Sequence, residues 1–556
     1  MAFPSTSRRA GLALGSLVVG YLLIDLVAGA PDSPLVPPLP TGVPRPGWTT
    51  TGARWIGLDR LTRTGLTAVS IALLIAIVAA FFLVAVDARR GRVGAAPVLI
   101  AACLSLALSV ASPVMLSRDV YSYAAYGRIY ALHDENPYVR TPSAFPSDPF
   151  VAAASPAWID TRAVYGPAFV LTGAGVARAW AGSPGATLLA FKVLAGIGAV
   201  LATALAAWAA RSVRRRDAAA APELSQGTVA LAAAAVGLNP VIVIHTVGGA
   251  HNDAMIAAAL AGALVLAVRW LREGPADGLT RSTGRSGGEP GRGVARAAIG
   301  PVPLGVTALL TLAGLIKVVV FPVLLVWLWY LLRASPRGRR GVGLAFHGGA
   351  AAALSLAFSA PFLDSARALT SLVTLTSVEG WASPARLAAR GAKALGNGIG
   401  GSGAGNVLGK VVVVGFLAWF AAAFIGFFRR GAGRAAQGPD HLANAWGACA
   451  LGLALAIPYL LPWYAAWFLP FLALMTDGGL AMIGFVAAGL LALTGVPAEP
   501  GSAPGLWRDM ILGVHYGIAP VMLGLFLAWA GRVLGIGPRH RTELDAVPRM
   551  ADRARP

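Results

Sequence analysis

About fourteen apolar runs, most of them near 20 residues, succeed one another along this chain with only short loops between them. That pattern leaves few options. A run of this length matches the bilayer's hydrocarbon thickness as a helix, and in hydrocarbon every backbone polar group must be bonded within its own segment. The expected fold is therefore all-α, a polytopic transmembrane helical protein. The runs cover residues 10–27, 66–86, 94–115, 187–210, 226–245, 252–271, 301–316, 318–333, 342–361, 406–428, 441–460, 462–476, 479–496 and 512–534. The pairs 301–333 and 441–476 have short halves, broken at Lys317 and at Pro462-Trp463-Tyr464. With 56% hydrophobic and 12% charged residues, the chain lacks the charge a soluble protein of this length needs on its surface.

The charges that remain are informative by position. Net charge is +21, from 45 Lys and Arg against 24 Asp and Glu, which alone can suggest nucleic acid as a partner. The arginines instead cluster in short loops between apolar runs, as orientation signals do, so no nucleic acid is expected. Arg89 to Arg92, Arg211 to Arg216, the linker 272–300, Arg333 to Arg340, Arg429-Arg430 and Arg539 to Arg541 all fall on one side if both termini are cytoplasmic. The same arrangement keeps Tyr165 to Trp180 out of the spans, as a surface segment. The predicted location is the cell (plasma) membrane, multi-pass.

Three parts follow. Residues 1–65 give a membrane helix and a proline-rich outer tether, 66–535 the transmembrane module, and 536–556 a cytoplasmic tail. Ala28-Gly29-Ala30 resembles a signal-peptidase site, but the many spans beyond it favour an uncleaved first helix. Cys103 and Cys449 both lie in apolar runs and imply no disulfide framework. Most unusual polar residues collect on the extracytoplasmic side, among them Asp119, His251, Asn252, Asp253, Asp364, Glu379, Asp509 and His515.

The richest stretch is SRDVYSYAAYGRIYALHDENPY, residues 117–138, opening the large outer loop 116–186. At 3.6 residues per turn Asp119, Tyr123, Tyr126 and Tyr130 share a helical face, with Arg118 and Arg128 nearby, and Asn136-Pro137 stops the helix. This is a carboxylate heading a tyrosine stripe, or an interfacial helix whose Asp119 merely caps its start. A second block, NPVIVIHTVGGAHND, gathers His245, His251, Asn252 and Asp253 behind paired glycines. These four can bind a ligand, or Asn252 or Asp253 can simply cap the next helix. Their spacing matches no standard metal pattern, so no cofactor is expected.

DTRAVYGP, residues 160–167, offers Arg162 for a phosphate and Tyr165 as an aromatic anchor. Lys317 sits in mid-hydrophobic sequence, where a cation costs at least ~2.5 kcal/mol. It must snorkel or meet a buried anion such as a lipid phosphate. Phosphate-loop, HExxH and GxSxG motifs are absent.

Taken in order, SRDVYSYAAYGR…NPY, YGP, NPVIVIHTVGGAHNDAM and LPWYAAWFLP resemble the polyprenol-phosphomannose-dependent α-1,6-mannosyltransferases of actinobacteria. The likeness runs over roughly residues 90–475. It implies a GT-C-type membrane glycosyltransferase fold in which the first large outer loop carries the catalytic aspartate, here Asp119. It also implies a polyprenyl-phosphate mannose donor and a glycolipid or lipid-linked mannan acceptor, both used outside the cytosol. Some relatives of this class pair acidic residues in that loop. Here Arg118 precedes Asp119, so the local sequence offers no second carboxylate.

Transfer from a lipid-phosphate sugar needs a base for the acceptor hydroxyl, cations for the leaving phosphate and an apolar groove for the lipid. Asp119 suits the first. Arg118, Arg128, Arg162 and Lys317 suit the second. Tyr123, Tyr126, Trp158, Trp463 and Tyr464 offer ring faces to sugars. A transporter would place polar groups inside several spans, whereas midspan ionisable residues are scarce here. An α-1,2-mannosyl- or arabinosyl-type transferase on the same scaffold is the nearer alternative.

Overall fold

The computed structural model describes residues 6–214, 222–273, 299–335, 337–363, 380–431, 439–498 and 504–535. Among these residues every regular element is helical, and eight helices are long and apolar enough to cross a membrane. In chain order the main helices are α1 (Arg8–Gly29), α2 (Arg63–Arg89), α3 (Ala95–Ala111), α4 (Asp119–Leu132), α5 (Pro167–Ala179) and α6 (Pro184–Arg214). They continue with α7 (Pro222–Gly237), α8 (Asp253–Glu273), α9 (Pro301–Ile316), α10 (Phe321–Ala334), α11 (Arg340–Ser359) and α12 (Pro384–Gly431). The last four are α13 (Pro439–Ala456), α14 (Gly478–Ala492), α15 (Pro504–Gly513) and α16 (Ala519–Leu534). Seven of these sixteen open on proline, whose missing N–H is harmless in a first turn and whose φ is already helical.

Two ends of the bundle are chemically distinct. At one, the Ser7 amide donates to the Arg92 carbonyl at 3.0 Å, and Arg9 and Arg92 face the buried Asp87 carboxylate. The other end of α1 leads into the tether, where the Leu35 carbonyl accepts from the Leu116 amide at 2.8 Å and Pro34 accepts from Ala498 at 2.7 Å. The tether thus packs against the loop that precedes Asp119.

The structure departs from the sequence reading in three places. The expected span over 462–476 is no continuous helix. It is a 3₁₀ turn, Pro462–Trp467, and a four-residue helix, Leu469–Leu472, broken by Pro462 and Pro470. It still runs the length of α13: Trp467 reaches Asp253, whereas Thr476 accepts from Asn444 near the start of that helix. The run expected over 406–428 belongs to a longer helix that starts at Pro384, in sequence expected to lie between runs, and continues to Gly431 across a break at Gly400-Gly401. Nor is α4 an interfacial helix. Val120 to Gly127 are buried without interruption, with α5 packed over them. α5 spans 13 residues, about 20 Å. The two helices approach so closely that a Cβ at Gly127 would lie 2.3 Å from the Gly173 carbonyl carbon. Asp364, Glu379, the tail 536–556 and nearly all of the linker 272–300 lie outside the described residues.

Candidate active site

Four chain breaks meet at the end of the bundle away from the arginines. After α3 the chain leaves helix at Ser112 and resumes it at Asp119. α7 passes through a π-helical turn, Val241–Val247, before α8 starts at Asp253. α9 stops at Ile316, leaving Lys317 extended, and α13 stops before Pro462. Helix ends supply both charge-bearing side chains and unsatisfied backbone groups, which makes such a junction a natural site. The YGP segment closes it: the Gly166 amide donates to the Ile316 carbonyl at 2.9 Å. A Cβ at Gly166 would sit 2.0 Å from the Leu315 carbonyl oxygen, so only glycine allows this approach.

Asp253 lies at the base of the cluster, fully buried. Lys317 Nζ donates to both carboxylate oxygens at 3.0 and 2.9 Å, and Trp467 Nε1 donates to Oδ1 at 2.7 Å. Lys317 also lies 4.5 Å over the Tyr464 ring, which stacks on Trp467 at 4.2 Å. The buried anion that Lys317 requires is thus Asp253. Burial of both charges is offset by paired hydrogen bonds and ring faces, without which each ion would cost several kcal/mol.

Above this pair, the His251 ring lies flat on Trp463, with centroids 3.6 Å apart. Its Nδ1 is 3.0 Å from the Tyr123 hydroxyl and 3.7 Å from Asp119 Oδ2. Burial holds the imidazole well below its ordinary pKa, and the Lys317 charge acts the same way. The ring is therefore neutral, and its approach to Asp119 is a polar contact rather than an ion pair. Asp119 alone of this group keeps an open face, its side chain 17% exposed. Burial raises the Asp119 carboxyl to about 6, opposed by Lys317 and assisted by the Asp253 charge. A second carboxylate therefore lies within electrostatic reach of Asp119, though none adjoins it in sequence. Lys317 and Trp467 occupy both oxygens of that second acid, leaving Asp119 as the open carboxylate of the pair.

The capping alternatives do not describe these residues. The residue before α4 is Arg118, and the Asp119 amide donates to Ser117 Oγ at 3.1 Å. Neither side-chain atom of the buried Asn252 has a hydrogen-bond partner. Leu116 (φ 61°) and Ala250 (φ 59°) are two of the three non-glycine residues with positive φ among those described. Such backbone is strained and persists where surrounding contacts fix it, here just ahead of Asp119 and His251.

The other expected residues divide. Tyr165 packs edge-on against Tyr123 at 4.8 Å and belongs to the cluster. Tyr126 is buried, and its hydroxyl holds the 161–162 turn by donating to the Thr161 carbonyl at 2.9 Å. Arg128 turns away, nine residues and half a rotation along α4, with Nε 2.6 Å from Asp148. Arg118 donates to the Ala154 carbonyl at 3.3 Å, Arg162 lies on the half-buried turn held by Tyr126, and Trp158 packs near Tyr459. Trp467 escaped the sequence reading as a site residue. Its three-residue spacing from Tyr464, within PWYAAW, was the available signal.

A family model described as "Alpha-(1->6)-mannopyranosyltransferase, N-terminal domain" matches residues 38–333, more than half of the chain and all of the site except the Trp463–Trp467 turn. The chain belongs to the alpha-(1->6)-mannopyranosyltransferase family. Individual members of that family are distant. Alpha-(1->6)-mannopyranosyltransferase A of Mycobacterium tuberculosis is 32% identical over 165 residues, 30% of this chain and 29% of the relative. A probable alpha-(1->6)-mannopyranosyltransferase of Mycolicibacterium smegmatis is 23% identical over 376 residues, 64% of this chain and 61% of the relative. Alpha-(1->6)-mannopyranosyltransferase A of Corynebacterium glutamicum is 29% identical over 157 residues, 28% and 29% of the two chains. The chain thus spans less than two thirds of the length of these three curated relatives. No solved structure matches.

Proposed function

We propose that this family member is a membrane α-mannosyltransferase forming α-1,6 linkages. It moves mannose from polyprenyl-phosphate mannose to a lipid-linked mannan acceptor on the extracytoplasmic face. The fold we assign is of the GT-C type, with about fourteen passes counting the broken one over 462–476 and with the arginine-rich end in the cytoplasm. The observation that carries this reading is Asp119. It is the partly open carboxylate above a buried, fully occupied ion pair, next to a neutral histidine, in a member of this family.

In the reaction, an acceptor hydroxyl oxygen attacks the anomeric carbon as the bond from that carbon to the phosphate oxygen breaks. Asp119 takes the hydroxyl proton, and polyprenyl phosphate leaves with the bonding pair. A β-linked donor gives an α-linked product in one inverting step. A carboxyl near 6 is ionised at neutral pH yet more basic than an ordinary aspartate, as a general base should be. Arg118 and Arg162 from the outer loop stabilise the phosphate, the Lys317–Asp253 pair forms the floor of the site, and Arg128 with Asp148 braces that loop. Trp463 and Tyr464 present ring faces to the sugars, and Asn252 supplies unused amide groups. Tyr123 and His251 orient Asp119.

The test is transfer of radiolabelled mannose from polyprenyl-phosphate mannose to an α-1,6-mannoside acceptor by membranes containing the protein, with linkage analysis. An α-1,6 product is expected. An α-1,2-linked or pentosyl product would replace the assignment with that of a related transferase, and no product from a folded protein would remove it.

A further inference from the structure

Lys192 lies on α6, within a membrane-crossing segment, and is 3% exposed. Nothing in the chemistry above uses it, yet an unpaired ammonium at such depth is expensive. Its environment is specific. Nζ lies 2.7 Å from the Ser112 carbonyl, 2.8 Å from the Pro113 carbonyl, 3.2 Å from Ser112 Oγ and 3.4 Å from the Gly248 carbonyl. Asp25, buried on α1, lies within electrostatic reach of it. The carbonyls come from two different breaks. Ser112 and Pro113 begin the loop that ends at Asp119, and Gly248 begins the turn that ends at His251 and Asp253. The Gly248 carbonyl also accepts the Met115 amide at 3.0 Å, so the two loops are fastened to each other beside the ammonium.

We infer that Lys192 is a positioning residue for the transfer reaction: its ammonium clasps the loop bearing Asp119 to the loop bearing His251 and sets the register between them. The inference rests on the assignment of Asp119 and His251 to the site. Lys192 touches no group assigned to either substrate, so its loss should act on turnover and not on binding. Three donors on one flexible stem suit a junction of three carbonyls, whereas a methionine of similar length donates to none of them. Misplacement of a catalytic group by about 1 Å costs on the order of 10²-fold.

The experiment compares the full-length wild-type protein with Lys192→Met and Lys192→Gln in the mannose-transfer assay, with rates normalised to the folded fraction. Lys192→Met should lower kcat by roughly 10- to 100-fold with KM for the donor within about threefold of wild type. Lys192→Gln, which keeps an amide donor for a carbonyl, should recover part of the loss. Wild-type kcat per folded molecule in Lys192→Met would overturn the inference, whatever its thermal stability. A raised KM at unchanged kcat would also overturn it. Should Lys192→Met not accumulate, Lys192→Gln decides by the same split: reduced kcat at unchanged KM supports the clasp, and wild-type kcat refutes it. Failure of the underlying assignment looks different: the wild-type protein would show no mannose transfer, or Asp119→Asn and His251→Gln would turn over at the wild-type rate.

Discussion

Replacing Lys317 with methionine removes both hydrogen bonds to Asp253 and leaves that carboxylate buried with Trp467, at 2.7 Å, as its remaining side-chain donor among the described residues. Breaking a buried ion pair from one side costs ~3–5 kcal/mol, because the remaining charge stays out of water. Lys317 and Asp253 are 4% and 0% exposed, so the upper part of that range applies. The double variant Lys317→Met/Asp253→Asn removes both charges while an amide oxygen still accepts from Trp467. It should return most of the lost stability, since a buried pair replaced as a unit is often near neutral. Stability and activity should then part: both variants lose transfer if the Lys317–Asp253 pair holds the floor beneath His251 and Asp119 in place. The assay is the fraction of monodisperse detergent-solubilised protein surviving a temperature series, alongside turnover in membranes. A Lys317→Met protein as heat-stable as wild type would refute the buried-pair argument. A double variant with wild-type turnover would refute that role of the pair.

Three further outcomes are expected. Activity should fall as pH drops through about 6, because the base must be unprotonated and burial has raised Asp119 to that value; an acid limb that stays near 4 in kcat/KM would show that another group titrates. His251→Gln loses the stack on Trp463 and the Nδ1 contact with Tyr123, and should lower kcat by about 10²-fold with little change in expression; steady-state kinetics decide it, and full activity would remove His251 from the site. In a Cys103→Ser background, cysteine at Ser147 should react with an impermeant thiol reagent on intact cells and cysteine at Gly338 should not. The reverse labelling would invert the topology.

Much of this was legible in the sequence where the signal is local. Apolar runs gave the helices, and prolines and arginine clusters gave many of their starts and loop ends, because spanning a bilayer leaves little room for tertiary override. Asp119, Tyr123, Tyr165, His251, Asp253, Lys317, Trp463 and Tyr464 do converge. What stayed hidden were partners distant in the chain. Lys317 reads as a lone cation until α8 brings Asp253 to it from 64 residues away. Asp119 lacks an acidic neighbour in the chain, yet Asp253 acts on it through space. Arg128 looked like a phosphate ligand because composition cannot show that Asp148 occupies it. The break over 462–476 was half legible: Pro462 marked it, but the return along α13 depends on Asn444 meeting Thr476.

The most direct test of the account is purified Asp119→Asn beside the wild-type protein, each supplied with polyprenyl-phosphate mannose and an α-1,6-mannoside acceptor. Asparagine keeps the size and most hydrogen bonding of aspartate but cannot take the acceptor's proton. General-base assistance contributes ~10²–10⁴-fold, so turnover should fall on that scale while donor binding is retained. Turnover at the wild-type rate would contradict Asp119 as the base.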